Sequence, residues 1–304
     1  MVILRLLRNR NFILILAFVL GVLLGSGVAR YTKPFTLPAL ALIMTISAAQ
    51  FSSKAIPPLR SLLRSVLLAV LFNYLIHSTL LLVLARWLMP TRELWIGSVI
   101  LAASPPGVAV IPFTYLLGGN AALSLVGTVG VYVAALAIMP IMARVLLGAG
   151  VLSPWKLLPI LVELVVIPIL LSRLLLLAKL DRYLQKARGT IVNWGFFLVT
   201  FTVVGLNREV FLGQPGILAR ASIVGFLSIF ALGYLLGIAL KWLGVARAER
   251  VSFTLMGTVK NSGFAAATAL ALFSDKASVP GTVISVFIVL YLIWIGFQAD
   301  RSRR

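Results

Sequence analysis

Residues 257–263 read Gly-Thr-Val-Lys-Asn-Ser-Gly and interrupt a largely apolar run that extends from Val251 to Leu272. Such a run has the composition of a membrane-crossing helix, yet two glycines and an Asn-Ser pair are poor material for continuing one. Lys260 is the decisive residue. An ionisable group at mid-bilayer is costly, so it must face protein or a water-filled cavity and have a partner or a purpose there. A second interrupted run lies earlier in the chain, where Ser104-Pro105-Pro106-Gly107 is followed by Pro112. Two adjacent prolines remove two backbone donors and disfavour helix just before them, so this run should also unwind at mid-depth.

The composition supports the membrane reading. Of 304 residues, 61% are hydrophobic and 11% charged, far from the balance of a soluble domain. Lys and Arg total 27 against 7 Asp and Glu. In a soluble chain that excess would suggest nucleic acid, but here the basic residues punctuate apolar blocks and read as topology signals facing anionic lipid. We therefore expect no nucleic-acid partner. The chain has no cysteine, which excludes disulfides and thiolate metal sites.

Apolar runs predict about ten spans, over 11–29, 34–52, 64–88, 94–117, 120–147, 155–178, 189–206, 217–242, 250–273 and 279–298. Arg5, Arg8 and Arg10 before Phe12–Ala29 have the outline of a signal peptide; we read the segment as the first span. On alternate sides of this map, basic residues divide roughly two to one, which predicts an integral protein of a prokaryotic inner membrane with both termini cytoplasmic. Ten spans split into two fives, residues 1–149 and 150–304, and an odd number per half inverts the second relative to the first. The fourth span of each half is the interrupted one, the pattern that marks substrate sites in secondary transporters.

The freed amides that start each second half-helix, after Gly107 and after Lys260, carry partial positive charge. With the ammonium nearby, a small organic anion is the natural cargo. Candidate contacts are Lys260, Asn261 and Ser262 on one side and Pro106, Gly107 and Val108 on the other. Glu163, deep in the sixth span, is a candidate proton or ion-pair partner for Lys260, so protons are a candidate coupling ion. His77, one turn beyond Asn73, has no carboxylate in its span and reads as a packing residue. No nucleophile–base constellation, phosphate loop or metal-ligand spacing is present, so we expect neither an enzyme nor a bound cofactor or metal.

Two stretches resemble the bile acid:sodium symporter family. Residues 102–140, with Ser104-Pro105-Pro106-Gly107, Thr114-Tyr115-Leu116, Gly119-Asn120-Ala121-Ala122-Leu123-Ser124 and Met139-Pro140, are similar to its fourth and fifth spans. Residues 249–281, with Lys260-Asn261-Ser262-Gly263 and Val279-Pro280-Gly281, are similar to its ninth span and the start of its tenth. The resemblance implies an all-α fold in which the broken fourth and ninth helices cross. They cross within a core of spans 3–5 and 8–10, which moves against a panel of spans 1, 2, 6 and 7. It also implies alternating access beside the crossing.

Sodium coupling is where the sequence departs from that pattern. Met256 takes the place of a glutamate, Lys260 that of a glutamine, and Val110 and Ile111 those of a Ser-Asn pair. Asn73 takes the place of a third-span glutamine, and Ser124 and Thr128 match fifth-span hydroxyls. Lost oxygen ligands and a gained cation predict that the Lys260 ammonium occupies a sodium ion's space, bonded to Asn73, Ser124, Thr128 or unwound carbonyls. Sodium is then the less expected partner. Rival readings are a sodium-coupled symporter, an auxin-efflux-like carrier and a non-transporting membrane receptor on the same scaffold.

Overall fold

A computed structural model describes residues 10–49, 59–107, 109–148, 159, 162–184 and 187–301. Among these every regular element is helical, and the one extended pairing is an isolated antiparallel bridge between Pro106 and Lys260. Six helical runs are long and apolar enough to cross a bilayer, which makes this an integral membrane protein. Arg5 and Arg8 lie outside the described residues, as does most of the segment before the sixth expected span.

Helix α1 spans Arg10–Thr32 and bends at Gly25, whose φ of 67° lies in the left-handed region that favours glycine. A single 3₁₀ turn, Lys33–Phe35, joins it to α2, Thr36–Ala48. The first two expected spans are thus joined by one turn rather than a polar loop. Helix α3 covers residues 59–88 and contains a π-helical stretch at Leu71–Ser78. The expected fourth span is two pieces, α4 (Arg92–Ala103) and α5 (Val110–Leu116). Thr91 caps α4 by accepting from the Leu94 amide at 3.4 Å. Helix α6 spans Ala121–Leu147, with Asn120 as its cap.

In the second half, α7 opens on a π turn at Val162–Val166 and continues over Ile167–Leu177. The short α8 is Asp181–Leu184, and α9 is Arg188–Leu206. A short helix that the apolar pattern did not signal, α10 (Arg208–Gly213), leads to α11 over Pro215–Trp242, itself carrying a π turn at Leu227–Ala231. The expected ninth span is again two pieces, α12 (Arg247–Met256) and α13 (Ser262–Leu272). After a 3₁₀ turn at Lys276–Ser278 comes α14, Val279–Arg301.

The helices pack in two groups. Helix α9 lies along α1 and against α2, and α7 lies against α2. Helices α3 to α6 and α11 to α14 pack on one another. The groups meet where α13 touches α2 and α9 and where α14 touches α9. Glycine sets the closest approaches. A Cβ on Gly97 of α4 would run into the Ala277 carbonyl oxygen, and one on Gly281 would lie 2.9 Å from the Ala266 amide. Small residues at such contacts are how membrane helices gain packing where no hydrophobic drive exists.

Candidate functional site

The two unwound segments touch. The Gly107 amide donates to the Val259 carbonyl at 2.8 Å, and the Asn261 amide donates to the Pro105 carbonyl at 2.8 Å. This two-bond bridge satisfies backbone that would otherwise be orphaned at membrane depth. Glycine eases the close approach, because a Cβ on Gly107 would lie 3.1 Å from the Lys260 carbonyl oxygen and would need it to shift slightly.

The prolines explain where Lys260 goes. In a continuous helix the Leu101 and Ala102 carbonyls would accept from residues 105 and 106, both of which are prolines without an N–H. Leu101 O instead accepts from the Ser104 amide and hydroxyl. Ala102 O accepts from Lys260 Nζ at 2.7 Å and lies 2.6 Å from Ser78 Oγ. The Ala103 carbonyl takes the Tyr74 hydroxyl at 3.2 Å, and the Ser104 carbonyl takes Lys260 Nζ at 2.9 Å and Asn73 Nδ2 at 3.3 Å. The ammonium completes its bonding on Ser78 Oγ at 2.9 Å and stands 4.8 Å from the centre of the Tyr74 ring.

Lys260 is 1% exposed, and all three N–H bonds of its ammonium have an oxygen acceptor. None of those acceptors is a carboxylate. The Lys260 amine is held at the C-terminal, partially negative end of half-helix α4, which favours its protonated form, and the face of the Tyr74 ring stands beside it. The π-helical stretch of α3 supplies Asn73, Tyr74 and Ser78 together. Such bulges recur at functional sites.

Around this cage the predicted residues separate. Asn261 is occupied by structure: its Oδ1 caps α13 by accepting from the Phe264 amide at 3.2 Å, and its Nδ2 donates to Tyr132 Oη at 2.8 Å. Ser124 pairs with Thr114 at 2.9 Å rather than with Lys260, and Thr128 Oγ1 is buried without a partner. Asn73 does not bond Lys260: its Nδ2 donates to the Ser104 carbonyl, its backbone carbonyl accepts from the Ser78 hydroxyl at 2.9 Å, and its Oδ1 has no partner. Met256 is fully buried, with its thioether against Gly127 of α6. Glu163 sits in the π turn of α7 and is not among the groups bonded to Lys260. Val108 lies outside the described residues. His77 is fully buried, and neither ring nitrogen has a partner.

The other side of the crossing borders a cavity of about 410 Å³ between the two helix groups. Gly107, Lys260, Asn261, Ser262 and Gly263 form one wall; Phe18, Phe196, Val199 and Thr200 face it, with Thr282 and Ser285 of α14 alongside. No Asp or Glu is among the lining residues. Ser78, Tyr74 and Tyr132 escaped the sequence reading as partners, because nothing local distinguishes them from other polar groups in membrane helices.

A model described as the sodium bile acid symporter family matches residues 37–213, more than half of the chain. The chain belongs to that family. It is therefore a membrane transporter by family, not an enzyme. It is also 28% identical over 229 residues to the uncharacterised sodium-dependent transporter YocS of Bacillus subtilis (strain 168), covering 73% of this chain and 69% of that protein. The family match takes in the first half of the crossing, while Lys260 lies beyond the matched residues.

Proposed function

We propose that this symporter-family protein carries a small organic anion by alternating access, with the Lys260 ammonium standing where a coupling sodium ion would otherwise be held. The carrying observation is the oxygen cage of Ser78, Ala102 and Ser104, filled by the side-chain amine of Lys260. A cage of carbonyl and hydroxyl oxygens is the donor set a hard cation takes. The paired hydroxyls of Thr114 and Ser124 and the apolar Met256 fit the same reading of altered sodium sites.

Cargo binds in the cavity beside the crossing. Its apolar walls suit an organic body, and the start of α13 at Ser262 and Gly263 offers the positive end of a helix to an anionic group. Ser262, with Pro106 and Gly107 across the crossing, positions that group. The helix group of α3 to α6 and α11 to α14 acts as the moving core, and α1, α2, α7 and α9 act as the panel. On this reading the arrangement has ten spans in two inverted halves, both termini are cytoplasmic, and the membrane is a prokaryotic inner membrane. Glu163 then belongs to the panel and meets Lys260 only in another conformation, through which protons could be exchanged.

Uptake of organic anions into proteoliposomes, with sodium or with choline as the external cation, tests this. Equal uptake is expected; a clear sodium requirement overturns the substitution of Lys260 for sodium. Sodium coupling is the second reading, favoured by the name of the Bacillus relative, a sodium-dependent transporter, and by the unpartnered oxygens of Asn73 and Thr128. Binding without any uptake would instead indicate a receptor.

A further inference from the structure

Two hydrogen-bonded contacts cross between the helix groups at a single end of the molecule. Lys33 Nζ, in the turn between α1 and α2, lies 3.0 Å from Asp275 Oδ1, in the turn between α13 and α14. Asn207, the residue that follows α9, donates from Nδ2 to Ser278 Oγ at 3.0 Å. Each arm is anchored in its own group. Beside Lys33, the Thr32 and Thr202 hydroxyls are 2.6 Å apart, tying α1 to α9. On the other side the Ala277 carbonyl packs directly on Gly97 of α4, and the Ser278 hydroxyl also bonds the Asp275 carbonyl. Neither contact can therefore follow the opposite group if the groups separate.

We infer that Lys33–Asp275 and Asn207–Ser278 form a latch that holds this end of the two groups closed and opens when cargo passes there. The inference rests on the proposed movement of one helix group against the other. The two bonds differ in kind. The ion pair is about half exposed, so solvent and salt weaken it and it can reform readily. The amide–hydroxyl bond is buried, with Asn207 3% and Ser278 0% exposed, and releases only when the interface itself parts. Asp275 and Ser278 also lie immediately after α13, the half-helix that begins at the crossing. A shift of α13 on binding cargo would therefore be delivered to the latch through one rigid element.

The absence of cysteine permits a clean distance measurement. Spin labels on Tyr31→Cys and Lys276→Cys, both exposed positions flanking the latch, report separation of the groups by pulsed dipolar spectroscopy in nanodiscs. The unaltered latch should give mainly the short distance. Lys33→Gln with Asn207→Ala should raise the long-distance population about two- to fivefold, the range expected for losing weak contacts. Lys33→Asp alone should also raise it, and adding Asp275→Lys should return it. A distribution unchanged by the double substitution overturns the latch, as does a Lys33→Asp shift that the reversed pair fails to restore. Absence of solute uptake by the unaltered protein would sink the transport reading while leaving these distances readable.

Discussion

Lys260 Nζ lies 2.7 Å from the carbonyl oxygen of Ala102, whose helical donor would have been the nitrogen of Pro106. The lysine supplies the hydrogen bond that the proline withholds. The two helix breaks are thus chemically coupled: one creates orphan carbonyls, and the other brings the donor that satisfies them.

Replacing Lys260 with alanine should lower the melting temperature, with a loss of about 2–4 kcal/mol from the emptied volume and the unpaired oxygens. If the cage suits a small cation, sodium should restore part of the loss by binding the folded state, and choline should not. The unaltered protein should melt at the same temperature in both salts. Thermal shift in detergent reads all four conditions, and an identical response of the two proteins to sodium would count against the substitution.

The crossing should also be sensitive at Asn261. Asn261→Ala removes a helix cap and the bond to Tyr132, and should cost about 2 kcal/mol in total. Asn261→Ser keeps a capping oxygen and should recover about half. Tyr132→Phe, which loses only the hydroxyl, should resemble the serine variant. Comparable melting of all three would show that the cap carries none of the stability.

Glycine contacts offer a test of packing with an internal control. Gly97→Ala drives a methyl group onto the Ala277 backbone and should destabilise by about 1–3 kcal/mol or prevent folding. Gly27→Ala, where nothing lies within 4 Å, should be neutral or slightly stabilising because alanine favours helix. Expression and melting temperature compare the two, and equal behaviour would show that α4 does not pack on the 276–278 turn.

Filling the cavity should separate binding from folding. Thr200→Trp places a large ring into the space of about 410 Å³. Affinity for any organic anion that stabilises the unaltered protein should fall at least tenfold, about 1.4 kcal/mol, with the melting temperature of the free protein little changed. Titration by fluorescence or calorimetry measures it, and unaltered affinity would place the cargo elsewhere.

Much of this was legible in the residues themselves. The membrane character follows from apolar runs, and the breaks at Pro105-Pro106-Gly107 and Gly257–Gly263 are local facts: a proline has no N–H wherever it stands, and a lysine among apolar neighbours must find acceptors. Carbonyls of the unwound segment were among the expected acceptors, and those of Ala102 and Ser104 accept; the hydroxyl beside them was not legible. Ser78 and Lys260 are 182 positions apart, and the π-helical stretch that turns Asn73, Tyr74 and Ser78 together has no signature in the apolar pattern. Asn261 looked free for cargo and is engaged by Phe264 and Tyr132. The bonds from Lys33 to Asp275 and from Asn207 to Ser278 depend on which helix ends become neighbours. Backbone chemistry acts within one turn and can be read along the chain, whereas a partner brought in from a distant segment depends on how all the helices pack, and only the tertiary structure decides that.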